Sequence, residues 1–345
     1  MSLPCSRNLL FDKSKPRGLD VLDLCLFFLF STDLRYIIVA VQTKMLEEYH
    51  YTELPWESKP DTIRLIELLP GSKYGDEPII CIISEASLQD APAYEAFSYC
   101  WGNANIREAI VIRDQHSVDF SFSVGVNLFA ALHQFRDSQD SKHFWADAIC
   151  INQSDLDERR RQVLLMRQIY SGAHETRIWL GPCDEKPLTT FNAFIFMRRL
   201  VLAGKAYKEN KDTQSYFAMG VQRKMEYGLP QSFLDSSFKN FSALLERAWF
   251  TRVWIIQEVA VSKVVSMWCG GHNISWQDFV YAVSFAVTIS IPLSLNNATS
   301  CQRIAQLEVA CRHISGELRQ SLLTLLILYR NFNATDPRDK IYSLL

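Results

Sequence analysis

Four stretches of the chain set side chains of reactive type beside one another. In Trp145–Gln153 (WADAICINQ) a carboxylate, Asp147, stands inside an apolar run that reads as a strand over Phe144–Ile151. Burying an unpaired carboxylate is costly, so Asp147 needs a partner or a site. Asn152 and Gln153 follow at the strand's carboxyl end, ahead of a helix N-terminus that offers free N–H groups. In Arg247–Glu258 (RAWFTRVWIIQE), large polar residues interrupt an apolar helix predicted over Phe241–Val261. On that helix Trp254 and Glu258 share a face, as do Arg247, Thr251 and Trp254. Arg252 falls outside the ladder that would pair it with Glu258. Arg252, Trp254, Gln257 and Glu258 therefore build a buried network or line a pocket. In Tyr94–Asn103 (YEAFSYCWGN), Ser98, Trp101 and Gly102 lie at the carboxyl end of a strand, where open α/β sheets hold their ligands. Taken alone, that stretch reads as a core strand ending in a glycine turn. In Asp336–Tyr342 (DPRDKIY), Asp336 is an N-cap, and Arg338 and Asp339 project from the first turn.

Other candidates are weaker. Cys150 with His143 or His174 suggests a thiol nucleophile, but a buried structural cysteine is the commoner case. Cys269-Gly-Gly-His272 has ligand-like spacing without a second pair and reads as a strand end and turn, so no metal is expected.

The elements that must position these residues follow from apolar periodicity. Ile63–Leu69 and Ile79–Ile83 form a hairpin, Glu95–Tyr99 a third strand, and Ala109–Arg113 with Asp119–Ser123 a second hairpin. Val126–Phe135 is a helix. A strand from Phe144, a helix begun by Asp155-x-x-Glu158 as a capping box and ended at Gly172, and a strand Thr176–Leu180 make a βαβ unit with parallel strands. Residues 184–240 read as a helical insertion with mobile loops, Val264–Cys269 as a strand, and Ser275 as the cap of a further helix. Residues 301–332 are helical, and a helix begun at Asp336 is cut off by the chain's end, which suggests truncation.

Composition bounds the function. The chain has 345 residues, 48% hydrophobic and 21% charged, which is globular and allows about two domains. Thirty-six basic residues against 38 acidic ones leave a formal charge of −2, without the basic surplus that nucleic-acid binding needs. Nine scattered cysteines fit a reducing compartment. The N-terminus is the exception. Leu19–Phe30 is strongly apolar and follows Arg7, Lys13, Lys15 and Arg17, as in a signal peptide. Asp20 and Asp23 interrupt it, and Leu24–Phe30 is far shorter than the roughly 18 residues that span a bilayer. No stable membrane insertion is expected.

The four stretches and their order resemble the fungal heterokaryon incompatibility (HET) domain. The wording YEAFSYCWG, WADAICINQSDLDERRRQVLLMRQIYSGAHETRIWLG, RAWFTRVWIIQEVAVSKVVSMWCGG and TDPRDKIYSLL carries the resemblance, which covers about Tyr49–Leu345. It makes residues 45–345 the domain and residues 1–44 an extension outside it, disordered or a wrongly assigned first exon. The family's fold is held to be distantly similar to the TIR domain. The resemblance thus implies an α/β fold: a TIR-like parallel sheet core flanked by helices, an N-terminal β-hairpin region and helical insertions.

The same resemblance implies a cytoplasmic trigger of programmed cell death in fungal non-self recognition. Such a protein works as a signalling module with protein partners of the incompatibility system, by self-association, and without a cofactor. Some TIR domains hydrolyse NAD with a catalytic glutamate, which gives a second reading: an enzyme consuming NAD or a related nucleotide. In it Asp147 or Glu258 is the catalytic carboxylate, Arg252 or Arg338 holds phosphate, and Trp101 or Trp254 stacks a base. That reading requires Asp147, Arg252 and Glu258 to converge around a cleft.

Overall fold

The computed structural model describes Thr43 and residues 45–72, 77–183, 187–232, 234–291 and 295–344. The extension expected at residues 1–44, with its apolar run, lies outside the described residues apart from Thr43.

Among the described residues nine strands form one mixed sheet. They are β1 (Thr62–Leu68), β2 (Ile80–Ser87), β3 (Glu95–Tyr99), β4 (Arg107–Arg113), β5 (Asp119–Gly125), β6 (Lys142–Trp145), β7 (Glu175–Trp179), β8 (Val265–Cys269) and β9 (His272–Ser275). Their spatial order is β5-β4-β2-β1-β6-β3-β7-β8-β9. The expected parallel core is the block β6-β3-β7-β8, and β2 and β4 also pair in parallel. Antiparallel pairs join β1 to β2 and to β6, β4 to β5, and β8 to β9, so the sheet as a whole is mixed. Both expected hairpins are there. The βαβ strands β6 and β7 are parallel, but β3 lies between them.

Helices flank the sheet: α1 (Val126–Phe135), α2 (Asp147–Cys150), α3 (Leu156–Gly172), α4 (Pro187–Glu209), α5 (Val221–Glu226), α6 (Ser236–Leu245), α7 (Ile255–Ala260), α8 (Trp276–Thr288), α9 (Leu295–Ile314), α10 (Leu322–Leu328) and α11 (Asp339–Tyr342). One core lies around β1, β6, β3, α1 and α3, where Leu65, Phe97, Leu132, Phe144 and Ile169 are buried. The other is built by α4 and α6 to α9 around Phe194, Met197, Phe241, Phe279 and Leu307. The polar insertion therefore supplies a large part of the second core. Trp254 packs against both.

Three expected elements differ. The strand expected over Phe144–Ile151 stops at Trp145. Ile149 and Cys150 donate their N–H groups back to the Ala146 carbonyl at 3.0 and 2.8 Å, which closes the turn α2 with Asp147 as its first residue. A carboxylate there complements the helix N-terminus. The helix expected over Phe241–Val261 breaks into α6, a 3-10 turn at Ala248–Thr251, and α7. Arg252 between the last two is extended. Val253 donates to the Asn333 carbonyl at 2.9 Å, and Asn333 donates to that of Thr251 at 2.6 Å, so a distant segment takes the bonds a helix would have used. The helical stretch expected over 301–332 divides between α9 and α10, with Gly316 at φ +82°, a left-handed conformation that suits glycine.

Candidate functional site

The carboxyl ends of β3 and β6 lie side by side, and most of the singled-out residues stand there in two groups. The first is exposed to a cavity of about 670 Å3, lined among others by Tyr99, Trp101, Gly102, Asn152 and Gln153. Asp147 stands behind its wall. One carboxylate oxygen accepts the Tyr99 hydroxyl at 2.9 Å and the Ala148 N–H at 2.8 Å; the other accepts the Trp101 indole N–H at 2.9 Å. Burial and the neighbouring Asp147 charge push the Tyr99 phenol well above its ordinary value, so it stays a donor. Gln153 donates its side-chain amide to the Asp147 carbonyl at 2.8 Å. Gly102 turns the chain at φ +78°, and a Cβ on Gly125 would stand 2.9 Å from the Trp101 carbonyl, so that close approach needs glycine.

The second group is buried except for part of Arg252, which is 22% exposed. The hydroxyl of Ser98 donates to Glu258 at 2.5 Å and accepts the Trp249 indole N–H at 2.8 Å. Arg252 reaches both oxygens of Glu258 at 3.3 and 3.2 Å. The expectation that Arg252 and Glu258 do not pair is therefore corrected. The extended residue between the 3-10 turn and α7 swings the guanidinium back, a geometry no continuous helix allows. Burial raises the Glu258 carboxyl above its ordinary range, with Asp147 adding to the rise, against the lowering by Arg252 and Ser98. Burial alone would lower Arg252; its acidic neighbours, Glu258 first, more than reverse this.

The Asp147 charge thus acts on Arg252 and Glu258 without a hydrogen bond to either. Arg252 and Glu258 meet, but Asp147 keeps its own partners, so the three do not converge around one cleft.

The remaining residues lie apart. Trp254 bonds to Asp339, whose carboxyl burial raises. Asp336 is not the N-cap of α11. Its carboxylate accepts the Arg338 backbone N–H at 2.9 Å and also the exposed Arg338 guanidinium, while Arg338 itself precedes the helix. Gln257 is buried beside a cavity of about 30 Å3 that Ser343 also lines.

Sequence reasoning overlooked Arg64 and gave Glu158 the wrong partner. Asp155 does cap α3, accepting the Asp157 and Glu158 N–H groups. Glu158, however, does not reach back to Asp155; it pairs with Arg64 at 2.5 and 3.1 Å and accepts the Asn152 N–H at 2.6 Å. The signal was present: Arg64 is a lone cation in the apolar run TIRLIEL. The thiol candidate is inert, since burial pushes Cys150 up to about 12. Among the described residues no group of three or more His, Cys, Asp or Glu is placed to hold a metal ion, and no helix is long and apolar enough to cross a membrane.

Comparison with known proteins adds to this geometry. Residues 94–258, which run from the start of the β3 segment to Glu258, match the family model described as heterokaryon incompatibility protein (HET). The chain carries a HET domain. It is also similar to heterokaryon incompatibility protein 6, OR allele, of Neurospora crassa, at 30% identity over 243 residues. That alignment covers 63% of this chain and 35% of the relative, so the chain spans about a third of that protein's length. No solved structure matches. The HET match holds both groups, from Ser98 and Trp101 through Asp147 to Arg252 and Glu258; Arg64, Arg338 and Asp339 lie outside it.

Proposed function

We propose that this HET domain protein acts in heterokaryon incompatibility as a signalling module. It triggers programmed cell death in the cytoplasm when incompatible hyphae fuse, through protein partners and self-association. The parallel block β6-β3-β7-β8 is its TIR-like part. One observation supports a module over an enzyme: every candidate carboxylate oxygen already has a partner. Glu258 is held by Ser98 and Arg252, and Asp147 by Tyr99, Trp101 and Ala148. A catalytic carboxylate must reach the reacting atoms.

A second reading, an enzyme consuming NAD or a related nucleotide, draws support from the position of Asp147 next to a cavity of ligand size. Expression of the full chain in yeast, with viability and cellular NAD measured together, separates the two. Killing with NAD unchanged supports the module. Killing with NAD loss that Asp147→Asn or Glu258→Gln abolishes supports the enzyme, and no killing overturns both.

A further inference from the structure

The cavity at the ends of β3 and β6 has a chemistry of its own. At about 670 Å3 it lies in the range of small-molecule sites. One part of its lining is aromatic. Tyr49, Tyr51 and Phe122 meet edge to face, with ring centroids 5.3 to 6.2 Å apart. Trp101 lines the same space and is 48% exposed, so a large part of the indole is free to stack. Asn103, Asn152 and Gln153 add amides, groups that donate and accept at the edge of a planar heterocycle.

The lining is also fixed in advance. Trp101 is held by Asp147, Tyr51 donates its hydroxyl to the Ile149 carbonyl at 2.8 Å, and Gln153 is tied to the Asp147 carbonyl. Asn152 is anchored through its backbone N–H by Glu158, and Arg64 stacks its guanidinium 4.7 Å from the Tyr51 ring. Arg64 and Glu158 are 1% and 3% exposed, a costly buried pair whose remaining bonds run to the segments that carry the lining. The segment bearing Tyr49 is pinned to β5, with Tyr49 N–H to the Ser121 carbonyl at 2.9 Å and Ser121 N–H to that of Glu47 at 2.7 Å. Preorganisation of this kind lowers the cost of binding.

Charge decides the class of ligand. The arginine of the lining, Arg107, is engaged by the Ser123 hydroxyl and carbonyl. No lysine is among the lining residues; Glu48 and His50 are, and Asp147 stands behind Trp101. Two carboxylates, Glu48 and Asp147, against the one guanidinium of Arg107 leave a negative balance that disfavours a phosphate. We infer that this cavity binds a planar nitrogen heterocycle without phosphate, of nucleoside class, stacked on Trp101 and read at its edge by the amides of Asn103, Asn152 and Gln153. This site does not depend on the signalling reading, and its test has no viability readout.

The test titrates the full chain with adenosine, guanosine, cytidine and uridine, each beside its 5′-monophosphate, and follows tryptophan fluorescence and heat of binding. At least one nucleoside is expected to saturate the protein, with its monophosphate binding more weakly. Trp101→Ala is expected to weaken that nucleoside by roughly tenfold or more, the scale of one lost base–aromatic stack. Trp101→Phe, which keeps a ring, is expected to retain most of the binding. Should Trp101→Ala fail to fold, Trp101→Leu, which keeps bulk without a π face, carries the same expected loss. Saturation by no nucleoside overturns the inference. So does a monophosphate that binds as tightly as its nucleoside, or a folded Trp101→Ala or Trp101→Leu that binds like the wild type.

Discussion

Two buried ion pairs serve the same sheet in different ways. Arg64–Glu158 ties distant pieces of chain together. From β1, Arg64 reaches the Thr52 and Cys150 carbonyls at 2.6 and 3.4 Å, and from α3 its partner Glu158 holds the Asn152 N–H. Arg252–Glu258 spans six residues of sequence and is completed by Ser98 and Trp249. The first pair is almost wholly buried; in the second, Arg252 keeps 22% exposure. The first thus fixes the lining of an open cavity, and the second satisfies a carboxylate at the end of β3 and leaves its arginine partly open to water. A carboxylate that organises other groups and one that only needs partners can look alike in sequence. Their surroundings separate them.

The largest effect should come from breaking the first pair. Glu158→Ala strands Arg64 in the core and releases Asn152, so a loss of ~3–5 kcal/mol is expected by urea denaturation. A loss below ~1 kcal/mol would show that the pair does not hold the sheet to the cavity.

Glu258→Gln should cost less, ~2–3 kcal/mol, because Arg252 retains water contact. Its pH dependence has a definite sign. The Glu258 carboxyl is raised in the folded protein. Between its unfolded value near 4.5 and that raised value, the folded state holds a proton that the unfolded state has lost, so stability falls as pH rises through this window. The wild-type advantage over Glu258→Gln should therefore widen as pH falls from neutral into the window. Paired melts across that range check it, and a gap that narrows on acidification would mean the carboxyl is stabilised in its charged form.

Tyr99→Phe tests the cavity side more gently. It removes one donor from Asp147 and leaves Trp101 and the Ala148 N–H in place. About 1 kcal/mol is expected, the net value of one hydrogen bond. A much larger loss would show that Asp147 is no better supplied with partners than Glu258.

Much of this is legible in the residues. The hairpins, β3, α1, the Asp155 cap and the parallel βαβ strands follow from local periodicity and cap chemistry, which act over a few residues. So does the need of Asp147 for partners. The partners themselves are not legible, because Tyr99 and Trp101 arrive from 48 and 46 residues away and Arg64 lies 94 residues from Glu158. The Arg252–Glu258 pair escapes a local reading for the same reason. Asn333 breaks the helix on which its spacing is judged, and no local signal announces a segment about 80 residues downstream. Local rules set the elements, and long-range hydrogen bonds decide which charges meet.

The smallest effect is expected at Arg338, a third arginine–carboxylate contact that sharpens the contrast by lacking burial. Its guanidinium is 73% exposed and bonds to Asp336 two residues away. The Arg338 guanidinium and backbone N–H together hold Asp336 down at about 2, so this carboxylate contributes to stability above its unfolded value near 3.8 and loses that contribution as pH falls through about 2. Water and salt screen the pair, and closing it fixes little chain. Arg338→Ala should leave the melting temperature unchanged at neutral pH and physiological salt. A drop of several degrees would place Arg338 with the structural pairs. An unchanged melt would mark it as a surface cation whose loss can be tested for cell killing without a folding defect, which neither buried arginine permits.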